Sequence, residues 1–313
     1  SRPAPRPPRG GGHRPRIARR GRLTVNRIAE QTTSNPPPLR TDLLFDPFDA
    51  DWSTLRAAAL AAENDGFDGL WTWDHLMGGV HRASHVLECW TLLTALAAIT
   101  QRMAIGPLVL NVANRHPGVV AVMAATLQQI SGGRLLLGLG AGGGEQTPYA
   151  AEQAAFGNSV PGGVVRRWQV EEAADVLRQV WSGRVQPTPA DYYPLGEGAG
   201  FLQPDPLPPI IMGAFGPKMA ALAGRVGDGI NTQAQHPRLS ELLQIARAAH
   251  LASQRDTPFV TTVFAAFSER WLDDSRPERA RLRELGVERL ILVTRPDPRR
   301  IENAARVLNV TVG

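Results

Sequence analysis

GFDGLWTWDHL, residues 66–76, begins as a buried strand and then departs from one. Phe67 and Leu70 are apolar, Trp71 and Trp73 are large, and Asp74 and His75 then stand side by side. A strand that finishes on a carboxylate and an imidazole suits a parallel sheet, where the C-terminal strand ends open on the site. The residues before it support that frame. TDLLFDPF (41–48) is a short apolar run closed by turn residues. STLRAAALAAENDG (53–66) reads as a helix, with Ser53 as N-cap, Leu55, Ala58, Ala59 and Ala62 on one face, and Gly66 at the C′ stop. The second strand is therefore DGLWTWD (68–74), with Trp71 and Trp73 on one side of it.

The same alternation runs to the end of the chain. Helices are predicted over 86–100, 117–131, 164–181, 217–225, 237–253, 276–285 and 298–308. Strands are predicted over 102–111, 134–142, 209–215, 228–233, 259–267 and 289–295, with an irregular Pro- and Gly-rich segment at 183–209. The strands are continuous apolar runs, as expected where helices cover both faces or the sheet closes on itself. Eight β-then-α units give an α/β fold, a (β/α)₈ TIM barrel. An open doubly wound sheet would place a Gly-rich phosphate turn after the first strand; DPFDADWS is not one.

Composition narrows the class. The chain has 313 residues, 43% of them apolar, with no apolar run long enough to span a membrane. A single cysteine, Cys89, forms no internal disulfide, which suits a reducing, cytoplasmic setting. Residues 1–40 carry ten Arg and one acid, net +9; the whole chain is +5, leaving −4 for residues 41–313. That mildly acidic remainder shows no nucleic-acid footprint. The division expected is a basic, Pro-, Arg- and Gly-rich tail over 1–40, too poor in large apolar side chains to pack, and one catalytic barrel over 41–313.

Candidate chemistry clusters at strand exits. Asp74 and His75 leave strand two, and a histidine titrates in the range that proton transfer needs. GPLVLNVANRHPG (106–118) leaves strand three with Asn111, Asn114, Arg115 and His116. GLGAGGGEQ (138–146) leaves strand four, where Gly140, Gly142, Gly143 and Gly144 uncover backbone for a flat or anionic ligand. GAFGPK (213–218) leaves strand five, and Gly213 and Gly216 precede a helix start that suits a phosphate, near the chain's only lysine, Lys218. His81 and His85 have helical metal spacing but lie in a loop without the glutamate of a zinc protease, so no metal site is expected.

In combination and order, GFDGLWTWDHL, the run from LLTALAAITQ to GLGAGGGEQ, VEEAADVLRQVWSG and IIMGAFGPKMAALAGRVGDGIN resemble the luciferase-like monooxygenase superfamily, and within it the deazaflavin-dependent branch. The likeness covers about 41–235 well and 236–313 loosely. It implies a bound deazaflavin, coenzyme F420 (8-hydroxy-5-deazaflavin), or alternatively FMN, in the barrel mouth. By similarity, His75 lies beside the reacting ring carbon, with Asp74 fixing its tautomer or binding the ring. Leu108 and Val109 fall on a bulge that carries a non-proline cis peptide, Asn111 on a ring-binding position, and Phe215 and Gly216 on a phosphate turn. Gly143 stands where the branch's sugar-phosphate dehydrogenases carry a Glu, and no basic cluster for a sugar phosphate is apparent in the sequence.

The activity implied is hydride transfer between the deazaflavin and a small organic substrate. The rivals are an FMN-dependent two-component monooxygenase, fed FMNH₂ by a flavin reductase and using O₂, and a non-catalytic flavin-binding barrel. The resemblance adds a homodimer as the family's common assembly, with no nucleic-acid or membrane partner.

Overall fold

The computed structural model describes residues 38–310. The expected tail lies outside them except for its last residues. Leu39 is already buried and the first strand begins at Arg40, so packing starts slightly before the expected boundary.

The elements run β1 (Arg40–Phe45), α1 (Trp52–Asn64), β2 (Gly69–Thr72), α2 (Cys89–Ile99), β3 (Ala104–Pro107), β4 (Leu110–Asn111), α3 (Pro117–Ser131), β5 (Leu137–Gly140), α4 (Ala150–Ala155) and α5 (Gly163–Trp181). They continue through β6 (Arg184–Val185), β7 (Gly198–Ala199), β8 (Ile210–Gly213), α6 (Pro217–Val226), β9 (Gly229–Gln233), α7 (Leu239–Ala252), β10 (Val260–Ala266), α8 (Pro277–Glu284), β11 (Arg289–Thr294) and α9 (Pro298–Val310). The main sheet is parallel in the order β3-β2-β1-β11-β10-β9-β8-β5-β4. Its two ends are halves of one strand: Leu110 and Asn111 pair with Leu139 and Gly140, and Ile105 bridges Leu135. The sheet therefore closes as the expected eight-stranded barrel, with its third strand interrupted. At the interruption the Leu108–Val109 peptide is cis, as the resemblance implied.

Strand alternation sorts the apolar side chains into two cores. Leu43 and Phe45 face the helices, whereas Leu44 joins Trp71, Leu108, Ile211 and Ile291 inside the barrel. Trp71 and Trp73, two residues apart, both project inward. Trp71 fills the barrel interior and donates its indole N–H to Asp42 Oδ2 at 2.8 Å. Asp42 also accepts from Arg289 Nε and Nη2 at 2.7 and 2.8 Å, so this buried carboxylate is fully paired. A Cβ on Gly106 would strike the Trp71 ring, which explains a glycine there. Trp73 lies one pleat higher, at the mouth.

Two local expectations are corrected. The cap of α1 is Asp51, whose Oδ1 accepts from Thr54 N at 2.9 Å; Ser53 lies inside the first turn and donates to Asp51. The irregular 183–209 segment contains the short antiparallel pair β6–β7. Gly66 does sit past the α1 terminus at φ +91°, where a side chain would be strained.

Candidate active site

A cavity of about 890 Å³ opens at the C-terminal ends of the barrel strands. Most of the residues singled out from sequence line it: Asp74 and His75 after β2, Leu108, Val109 and Asn111 at the interrupted strand, Gly140, Gly142, Gly143 and Gly144 after β5, and Gly213, Phe215, Gly216 and Lys218 after β8; Asn114 and Arg115 instead bond Asp74, and His116 caps α3. Their roles differ from a simple reading of the motifs.

Asp74 is buried and ties the second strand exit to the third. Its Oδ2 accepts from Asn111 N at 2.9 Å, Asn114 Nδ2 at 3.3 Å and Arg115 Nη1 at 3.0 Å. Its Oδ1 lies 2.9 Å from the same Nη1 but has no aligned hydrogen-bond donor, leaving a buried acceptor unsatisfied. Arg115 reaches on to Glu88 Oε1 at 2.5 Å, and Glu88 caps α2 through Trp90 N and Thr91 N. Burial raises the Asp74 carboxyl above the usual carboxylate range, with Arg115 pulling the other way. For Arg115 the balance is reversed: burial works against its charge, but the two carboxylates outweigh it and raise its pKa.

His75 is not held by Asp74. Its Nδ1 lies 2.9 Å from Glu152 Oε1, and Glu152, on α4, is only 3% exposed. The imidazole is also packed among Phe48, His81 and Tyr149, at ring-centre distances of 5.4, 4.9 and 5.1 Å. Burial, followed by the charge of His75, lowers the pKa of His81. His85 turns elsewhere, with Nε2 3.1 Å from the Ala50 carbonyl oxygen. Among the described residues no His, Cys, Asp and Glu cluster could hold a metal.

The glycines serve the protein's own packing first. Val109 projects into the space that side chains would fill at Gly138, Gly140 and Gly213; a Cβ on Gly213 would lie 3.1 Å from Val109 Cγ2, and one on Gly140 would overlap it. Gly142, at φ +66°, leaves room for the Asn111 amide, and Gly143 for Thr147 and Tyr149. Of these positions only Gly216 faces open space. Of the four glycines expected to bare their backbone, Gly140 is buried, whereas Gly142 is exposed and Gly143 and Gly144 are half-buried at the cavity; their missing side chains also let the bulge, Asn111 and Tyr149 close up.

Part of the cavity lining is cationic. Arg166 and Arg167 from α5 lie there with Lys218 from α6; the lysine was expected beside the helix start, the two arginines were not. Arg166 Nη1 donates to the Gly142 carbonyl at 2.8 Å, while its Nε is buried without a partner. Both helices start on glycine N-caps, Gly162 and Gly216, without side-chain caps, so first-turn N–H groups face the same region. The lining also includes an aromatic wall, with Phe264 edge-on to Trp73 and to Phe215 at 5.8 and 6.2 Å.

Comparison with known proteins agrees with this architecture. The model of the luciferase-like monooxygenase family matches residues 19–284. An F420-dependent glucose-6-phosphate dehydrogenase of Nakamurella multipartita is 32% identical over 206 residues, covering 65% of this chain and 59% of that protein. A 5,10-methylenetetrahydromethanopterin reductase of Archaeoglobus fulgidus is 32% identical over 224 residues, covering 70% and 61%. The chain thus spans about three-fifths of the length of these curated relatives. Among solved structures, an F420-dependent secondary alcohol dehydrogenase with an F420–acetone adduct superposes with a TM-score of 0.75 at 20% identity, covering 87% of this chain and 99% of that one.

Proposed function

Since the chain belongs to the luciferase-like monooxygenase family, we propose that it is an oxidoreductase that moves a hydride between coenzyme F420 and a small organic substrate. The observation that carries this reading is the mixed lining of one cavity. It brings together an imidazole paired with a buried carboxylate, two arginines, a lysine and two helix starts without side-chain caps. A ligand with a reactive ring and a phosphate-bearing arm matches that lining. The curated relatives named above support the deazaflavin over FMN, because one of them is named for dependence on F420.

The residues present fit such a group. Asp74 Oδ1 and Arg166 Nε, on residues that line the cavity, are buried polar atoms without a hydrogen bond. Gly216 is open toward the α6 start. Leu108, Val109, Trp73 and Phe264 provide an apolar surface in the same cavity, and the volume lies in the range of small-molecule sites.

When bound, the coenzyme supplies a ring carbon suited to two-electron hydride exchange. The chain does the rest. Trp73, Phe264 and the Leu108–Val109 bulge exclude water beside the ring. Asp74 fixes the Asn111 backbone and, with Arg115, braces the two strand exits. Arg166, Arg167 and Lys218 hold the anionic arm. His75 takes up or returns the substrate proton at Nε2.

The test is anaerobic turnover with a panel of alcohols, imines and enones, followed through the visible absorbance of the coenzyme. Substrate-dependent bleaching or recovery without O₂ supports the reading. Turnover only with FMNH₂ and O₂ overturns it in favour of a monooxygenase.

A further inference from the structure

We propose that Glu152 is the positioning residue for His75, holding the imidazole as its Nδ1–H tautomer so that the lone pair on Nε2 serves the cavity. The proposal rests on the hydride-transfer reading for its purpose, but on geometry for its content.

Glu152 is almost completely buried, and a buried carboxylate is costly unless a donor faces it. Among the described residues, the only side chain bonded to it is His75, and no Arg or Lys forms an ion pair with it. An ionised carboxylate accepts and cannot donate. His75 Nδ1 must then carry the hydrogen that lies between them, which leaves Nε2 as the acceptor of the neutral ring. Nε2 has no hydrogen-bond partner among the described residues, although His75 lines the cavity. The partner at Nδ1 is thus satisfied inside the protein, and the other nitrogen remains for a ligand.

Packing fixes the remaining freedom of the ring. Phe48, His81 and Tyr149 crowd its faces and edge, so it has little room to flip and present Nδ1 instead. The sequence separation between His75 and Glu152 is 77 residues, so the pair exists only in the folded barrel. Gly143 contributes by absence: a Cβ there would strike Tyr149 Cβ, displacing the ring that lies against His75 on the same loop-to-helix segment. Stacking sets the orientation and Glu152 sets the tautomer. A substrate proton can then pass to Nε2 without prior rearrangement.

The test uses the full chain without coenzyme, with ring nitrogens read by long-range ¹⁵N–¹H correlation at a pH where the histidine rings are neutral. His75 is assigned from the signal lost in His75→Gln. The expected wild-type spectrum has Nδ1 protonated and Nε2 bare, and Glu152→Ala shifts the ring toward the Nε2–H form. In the loaded enzyme, Glu152→Ala lowers kcat by about 10²-fold or more while KM and coenzyme Kd stay within about twofold, the pattern of a mis-set tautomer. A wild-type His75 in the Nε2–H form overturns the proposal, even if the variant does not fold. So does a folded Glu152→Ala protein with unchanged tautomer and kcat. Because the spectra need neither coenzyme nor substrate, failure to bind the coenzyme counts against the hydride reading and leaves the tautomer result standing.

Discussion

Replacing Arg115 with Met removes the one cation paired with Asp74 among the described residues, while keeping most of the side-chain volume. At the observed 2.9 Å, unit charges attract by roughly 6 kcal/mol at an effective dielectric constant of about 20. Delocalisation of both charges, and the second claim of Glu88 on the guanidinium, bring the expected loss to about 3–5 kcal/mol, typical when one partner of a buried pair is removed. At roughly 2 °C per kcal/mol for a chain of this size, the melting temperature falls by about 6–10 °C. The sign of the pH dependence follows from Asp74. Burial raises its carboxyl in the folded state, and Arg115 opposes that shift. Without Arg115 the upward push is opposed chiefly by the Asn111 backbone hydrogen bond. A raised folded-state value favours the folded protein at low pH and penalises it as pH rises through that value. The deficit of Arg115→Met is therefore largest near neutrality and shrinks as pH falls toward about 4, where Asp74 also protonates in the unfolded chain. Arg115→Met combined with Asp74→Asn has no carboxylate to strand and is more stable than Arg115→Met alone at neutral pH. Thermal melts of both proteins between about pH 4.5 and 7 compare them on an equal footing, because other titrations cancel. A deficit that does not change with pH, or a double variant no better than the single, refutes the reasoning.

His75→Ala keeps coenzyme affinity and lowers kcat by about 10²–10⁴-fold; normal turnover of an accepted substrate reduces His75 to a packing role. Gly140→Ala forces a Cβ into Val109 and costs about 1–3 kcal/mol by overpacking. Val109→Ala added to it recovers part of that loss in a thermal melt, and a neutral Gly140→Ala contradicts the packing described. Lys218→Ala weakens coenzyme binding several-fold at low ionic strength, and the difference narrows as salt screens the mouth. A salt-independent effect, or none, removes Lys218 from the set of residues that hold the anionic arm.

Periodicity carried the barrel because strands such as Gly69–Thr72 and Arg289–Thr294 are buried almost throughout, and continuous apolar runs between amphipathic helices have few alternative packings. The Trp71 and Trp73 pair was readable for the same reason: an i, i+2 pair in a strand shares a face, and that face is the barrel interior. The break between β3 and β4 has no local signature in IGPLVLN and came from the likeness to a family. Glu152 escaped because its helix spans only six residues and its partner lies 77 residues away. Thr147 and Pro148 are the one local hint of a helix start there. The cation cluster escaped similarly, since Arg166 and Lys218 meet only when α5 and α6 lie side by side. The glycines after β5 were visible, but what fills the space beside them was not: a missing side chain shows that something approaches closely, and here that is Val109, Asn111 and Tyr149 before any ligand.

The reading at stake is a mouth that holds a deazaflavin beside an imidazole and a set of cations. Its most direct test is a fluorescence titration of the full chain with coenzyme F420 and, separately, with FMN, under identical buffer and salt. Saturable binding of coenzyme F420 is expected, with FMN at least about tenfold weaker, equivalent to about 1.4 kcal/mol. Saturable FMN binding without any response to coenzyme F420 contradicts it.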